Sequence, residues 1–125
     1  MREIEFRGLR LDGKEWIYGY YFLTQTGEAV MFQSDYRSLD GIFPVQVTRV
    51  QEDTIGQFTG LYDKNGVKIF EGDIVETLYD GLQAISYSHA GFGYPDGRVF
   101  VFISSFVNQT EVIGNIHQNP ELLAQ

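Results

Sequence analysis

Glycine follows a small polar residue at Asp12-Gly13, Thr26-Gly27, Asn65-Gly66, Asp80-Gly81 and Asp96-Gly97, among other places. That punctuation leaves room for little but short strands. Glycine reaches positive φ without a Cβ penalty, and Asn or Asp tolerates it better than most residues, so such pairs favour type I′ hairpin turns. Between them lie β-like runs at residues 3–11, 16–23, 29–32, 43–47, 67–70, 73–79, 98–104 and 110–117. Short runs at this spacing predict a mainly β chain, either a small barrel-like fold or stacked antiparallel sheets built from hairpins. The content of 8 Tyr, 10 Phe and 14 Gly against 3 Pro also favours a twisted sheet over a helical bundle.

Two runs are apolar on both faces. In the first, Trp16, Tyr18, Tyr20 and Phe22 share one side, with Ile17, Tyr21 and Leu23 on the other. The second is Val99-Phe100-Val101-Phe102-Ile103. A strand with one wet face alternates, so these two are expected to be interior or to face a partner. Residues 99–103 are read as an interior strand. Trp16, Tyr18, Tyr20 and Tyr21 are candidate interface residues, because a tyrosine hydroxyl suits a partly wet boundary.

Helical signals are few. Asn119-Pro120-Glu121 reads as an N-cap, a first-turn proline and an acid that complements the helix dipole. A short C-terminal helical turn is expected there, held by docking Leu122 and Leu123. Residues 53–56 fit a brief helical turn, and 33–41 fit a mobile loop.

The 125 residues are read as one domain spanning 1–125. With no cysteine there is neither a disulfide nor a thiolate metal site, which favours a reducing compartment. The charged opening MREIEFRGLR does not read as a signal peptide, and no apolar run is long enough to span a membrane. A cytoplasmic location is therefore expected. The formal net charge is −8, and from Glu71 onward Arg98 is the one formal cation against seven acids. Nucleic-acid binding depends on neutralising phosphates with Lys and Arg, so this balance speaks against it.

Chemical constellations are sparse. His89 and His117 are far apart in sequence and lack cysteine companions, so neither a metal nor another cofactor is expected. Glu71 and Asp73 would fall on one side of an extended segment and could form a carboxylate pair. A turn with a solvated Glu and a backbone-bonding Asp is the simpler reading. Ser104-Ser105 lacks a nucleophile-elbow context. Gly91-Phe92-Gly93 lacks the lysine and helix of a phosphate loop and reads as a flexible hairpin loop. No catalytic residues are assigned.

Residues 54–75 (TIGQFTGLYDKNGVKIFEGDIV), the ending 112–123 (VIGNIHQNPELL) and the opening 2–8 (REIEFRG) together resemble the YopX family of phage and prophage proteins. Within those blocks the motif residues are Thr59, Gly60, Asp63, Asn65, Gly66, Glu71, Gly72, Asp73, Gly114, Asn115, Asn119 and Pro120. The resemblance implies a β-rich fold and a phage or prophage origin. It implies no activity. The expected function is a non-enzymatic phage accessory protein in the bacterial host cytoplasm, contacting another protein or itself as a homo-oligomer. A nucleic-acid-binding small barrel stands second, and a carboxylate-based enzyme third.

Overall fold

The computed structural model describes residues 4–34 and 45–124. Most of the segment expected to be a mobile loop, and the start of the strand expected at 43–47, lie outside the described residues. The chain is mainly β, and its contacts gather into two compact units, residues 4–57 and residues 58 onward.

The first unit is a meander of β1 (Phe6–Leu9), β2 (Trp16–Leu23), β3 (Ala29–Ser34) and β4 (Val45–Val50), each antiparallel to the next. Gly56 and Gln57, the first residues of β5 (Gly56–Tyr62), pair with Arg7 and Phe6 of β1. Alternation sends Ile17, Ala29, Met31 and Val50 to one face, where they form the core with Phe6 and Ile55. Glycine at position 8 permits the curl of this sheet, because a Cβ there would lie 2.9 Å from Val50 Cγ2. The curl brings Arg10 and Val50 into a single isolated bridge. No barrel closes. The chain leaves β4 into a 3-10 turn, Glu52–Thr54, and the Leu9 amide donates to Thr54 Oγ1 at 2.9 Å rather than to another strand. The helical turn expected at 53–56 is met only at Asp53 and Thr54, because Ile55 is extended and Gly56 opens β5.

The second unit continues β5 into β6 (Lys68–Phe70) and adds two three-stranded sheets. One contains β7 (Asp73–Glu76), β8 (Leu82–Ala84) and β12 (Glu111–Asn115), with β7 central. The other contains β9 (Ser86–Ser88), β10 (Gly91–Asp96) and β11 (Val99–Phe102), with β10 central. Ile69, Val75, Ile85, Phe92, Tyr94 and Ile103 form its core.

Two strand expectations are corrected here. Gly91-Phe92-Gly93 begins the central strand β10 instead of forming a flexible loop. Glycine is required there by close approach: a Cβ on Gly91 would lie 2.6 Å from the Phe102 ring, and one on Gly93 would strike the Val101 carbonyl. Conversely, residues 99–103 are not an interior strand. β11 is a sheet edge, with Val99 61% and Phe102 40% exposed. Its outer aromatics pack over glycine and over each other, Phe100 lying tilted against His89 at 5.5 Å and meeting Phe102 edge-to-face at 5.4 Å. Ile103, just past the strand, is the residue that enters the core.

The turns also differ from the expected type I′. Among the described residues, the only non-glycine positive φ values belong to His89 and Ala90. These two make the two-residue I′-like turn between β9 and β10. At Asp63–Val67 and at Thr24–Glu28, a turn of right-handed residues is followed by a left-handed glycine, Gly66 at φ 80° and Gly27 at φ 86°. Gly66 N donates to Asp63 O at 3.0 Å and Gly27 N to Thr24 O at 2.9 Å. Thr26 and Asn65, the residues before these glycines, keep negative φ, so glycine alone carries the strain.

Near the C-terminus, Pro120–Leu123 forms one 3-10 turn. Asn119 does not cap it. Its Oδ1 accepts the Asn115 amide at 3.2 Å instead. Leu122 is half-buried and packs close over Gly114, whereas Leu123 is 41% exposed, so the expected docking rests on Leu122.

Candidate functional site

The motif residues act as anchors for backbone amides. Asp63, 6% exposed, accepts the amides of Asn65 at 2.8 Å and Val67 at 2.9 Å through Oδ1. Its Oδ2 accepts the amide of Val112 at 2.9 Å, fixing the hairpin to β12. Thr59 donates to Ile69 O at 2.7 Å and accepts from Leu61 N at 3.2 Å, spanning the bulge that Gly60, at φ 85°, introduces into β5. Asn115 Oδ1 accepts the amides of His117 and Gln118 at 3.0 and 2.9 Å, an Asx-turn before Asn119 and Pro120.

Glu71 and Asp73 do not lie side by side on an extended segment. Glu71 and Gly72 form a turn with Gly72 at φ 93°, and Asp73 points inward. Asp73 is 2% exposed and accepts the Phe70 amide at 2.7 Å. Gly72 N donates to Ile85 O, and Ile116 N donates to Gly72 O. Gly72, Asp73 and Asn115 thus form one backbone junction joining β7, β12 and the chain before β9. His117 sits against it, its Nε2 3.5 Å from where a Cβ on Gly72 would stand. His89 belongs elsewhere: exposed, bonded through Nδ1 to Ser88 Oγ at 2.8 Å. Among the described residues, no three His, Cys, Asp or Glu side chains are grouped as a metal site needs.

The aromatic residues of β2 divide between the two faces of the first unit. Tyr21 lies on the core side and meets Phe6 edge-on at 5.0 Å. Trp16, Tyr18, Tyr20 and Phe22 lie on the outer side. The Arg7 guanidinium covers Trp16 at 4.3 Å, and Phe32 of β3 packs against Tyr20 at 6.2 Å and Phe22 at 5.7 Å. Tyr18, Tyr20 and Phe22 remain 42%, 42% and 48% exposed, and Val47 beside Phe32 in register is 60% exposed. An ion pair between Arg49 and Glu28 borders this face.

Sequence reading missed a cavity of about 130 Å³ in the second unit. Leu78, Val101 and Ile103 form its apolar wall; Tyr79, Tyr94 and Phe106 supply rings; Thr77 and Asp80 add polar groups. The Tyr94 hydroxyl donates to Asp80 Oδ2 at 2.6 Å. Burial, then the hydrogen bond and negative charge of Asp80, push the Tyr94 pKa up to about 12. Tyr94 therefore stays a protonated donor across the physiological range. The only sequence signal for this pair was Asp80-Gly81 itself, because Asp80 sits in the loop after β7 while Tyr94 comes from β10.

Among the described residues, no helix is long and apolar enough to cross a membrane. No curated protein matches the chain. A solved structure, protein EF1440 from Enterococcus faecalis, is similar at 27% sequence identity with a TM-score of 0.61, covering 98% of this chain and 99% of that one. The YopX protein family model matches residues 5–124. With nearly the whole chain matched and the motif blocks placed at the junctions of its strands, this protein belongs to the YopX family.

Proposed function

We propose that the protein is a non-enzymatic accessory protein of a phage or prophage, working in the bacterial host cytoplasm through protein–protein contact, with a second copy of itself as partner. The observation that carries this reading is the outer face of β2 and β3, where Tyr18, Tyr20 and Phe22 are 40–50% exposed around Phe32. Contiguous aromatic surface of this kind marks interaction sites, and Tyr is among the residues enriched at interface hot spots. Charge favours a second copy. Two chains of net charge −8 repel, but on this face Arg49 pairs with Glu28 and Arg7 lies over Trp16, so contact here brings no excess of acids together. The phage setting follows from the resemblance of the motif blocks. The non-enzymatic reading follows from the buried acids Asp63 and Asp73, both engaged by backbone amides.

Sedimentation equilibrium at micromolar concentration tests the reading. The expected result is a dimer that Tyr20→Ser with Phe22→Ser converts to a monomer while the circular dichroism spectrum is retained. A wild-type monomer would refute self-association. Salt-sensitive anisotropy changes with labelled DNA or RNA would replace the reading with a nucleic-acid-binding one.

A further inference from the structure

We propose that the cavity of the second unit is a binding site for an alkylammonium group, specifically a lysine side chain presented by another molecule. The site is separate from the aromatic face of β2 and goes beyond the function proposed above.

Size selects the ligand first. Small-molecule and cofactor pockets run to ~300–1,000 Å³. This cavity, at about 130 Å³, is closer to the engineered apolar cavity of about 150 Å³ that admits a benzene. It suits one side chain. Charge selects next. Asp80 lines the cavity, and among the described residues no Lys, Arg or His forms an ion pair with it. Tyr94 occupies Oδ2 as a neutral donor, which orients the carboxylate without cancelling its charge. An anion would be repelled, and a purely apolar group would leave a partly desolvated carboxylate without a counter-charge.

The aromatic groups point to the same class. Tyr79 and Phe106 stand edge-to-face, with centroids 6.5 Å apart and planes at 89°, and Tyr79 is 80% exposed. Rings of differing orientation beside a carboxylate attract a cation through their quadrupoles as well as through the acid. Val101 and Ile103 offer an apolar wall of the kind a lysine's methylene stem covers. The ligand would place its ammonium at Asp80 and its stem along these two residues.

The test is a two-dimensional amide NMR titration of the full chain with four probes: Nα-acetyl-lysine amide, its Nε-trimethyl form, its Nε-acetyl form and Nα-acetyl-norleucine amide. We expect saturable shifts for residues 77–81, 94 and 101–106 with the first two probes, with dissociation constants on the order of 1 mM. The acetylated and norleucine probes, lacking the charge, are expected to bind about tenfold more weakly or not at all. Asp80→Asn retains an acceptor for Tyr94 and should weaken the lysine probe about tenfold. Tyr79→Leu, a change at an exposed ring, should weaken it several-fold while leaving the other amide shifts in place. Equal binding of norleucine and lysine amides would overturn the proposal in favour of a plain apolar crevice. Absence of saturable shifts at these residues with either cation, or unchanged lysine binding by Asp80→Asn, would also overturn it.

Discussion

The hairpins at Thr24–Glu28 and Asp63–Val67 share one backbone design. In each, the first residue's amide donates to the carbonyl four residues on, Thr24 to Glu28 and Asp63 to Val67, both at 2.8 Å. In each, its side-chain oxygen accepts the amide of that same residue, at 3.0 Å in the first and 2.9 Å in the second. They differ in what else the anchor holds. Among the described residues, the Thr24 side chain bonds within its own hairpin, to Thr26 Oγ1 besides the Glu28 amide. Asp63 has a second carboxylate oxygen, and it captures Val112 from a strand 49 residues away. One turn is local; the other is a local turn used as a tertiary clamp. Identical turn geometry therefore says little about how much of the structure depends on a turn.

The largest effect expected from this contrast is that of Asp63→Ala. It strands three amides inside the second unit and should lower stability by about 3–5 kcal/mol in urea denaturation followed by circular dichroism. Asp63→Asn, which keeps one acceptor oxygen, should lose roughly half as much. A cost for Asp63→Ala as small as that of a surface change would reduce the clamp to an ordinary turn residue.

The edge position of β11 allows a sharper comparison within that unit. Ile103→Ala, at a residue 2% exposed, should cost about 2–5 kcal/mol, whereas Phe102→Ala, at 40% exposure, should cost about 1 kcal/mol. Equal losses would restore the interior strand that the sequence pattern implies.

At the turns themselves the two hairpins should behave alike. Gly27→Ala and Gly66→Ala each place a Cβ at positive φ with no atom within 4 Å, so strain alone decides, at about 1 kcal/mol for either. A markedly larger penalty at Gly66 would show that the clamp also stiffens its own loop. Thr24→Ala, with its bonds confined to the loop, should cost only about 0.5–1 kcal/mol, well below Asp63→Ala.

The smallest effect is confined to alkaline pH. The pKa of Tyr94 is raised to about 12 in the folded chain against 10.0 for the free side chain. The folded state thus holds the proton more tightly. Its contribution is fully present below about pH 10 and is lost as pH rises towards 12. Tyr94→Phe should remove that part of the alkaline decline, read by comparing melting temperatures of the two proteins over this window. An unchanged decline would assign it to other groups.

How much of this was legible in the sequence depends on whether the signal was local. The bounds of β2 match the run at 16–23, the Asn65-Gly66 hairpin lies where turn chemistry puts it, and the turn expected at 53–56 overlaps the observed Glu52–Thr54 by two residues. Ser86–Ser88 and Leu82–Ala84 are three-residue strands with little β-propensity of their own; cross-strand pairing makes them, and that is not written in their composition. β11 misleads because its outer phenylalanines answer glycines on the neighbouring strand. A one-strand pattern cannot show that Phe102 lies over Gly91. The cavity was hidden for a similar reason: Asp80, in the loop between β7 and β8, meets Tyr94 of β10, and the Asp80-Gly81 turn signal says nothing of that partner. The family blocks were legible as turn and strand residues, but the convergence of Gly72, Asp73 and Asn115 on one junction is a property of the folded topology.

The bond from Val112 to Asp63 has a consequence for timing during synthesis. Ribosomes add about 5–20 residues per second. The 49 residues between the two partners thus take roughly 2–10 s to appear, against about 1–10 μs for a hairpin to form. The turn at Asp63 can form and dissolve many times before its second carboxylate oxygen finds the amide it holds in the finished molecule. Residues 4–57, whose meander of β1 to β4 is complete before Asp63 is made, can settle meanwhile. Slowing or pausing translation between residues 67 and 112 should therefore prolong the exposure of one half of the molecule while leaving the other untouched.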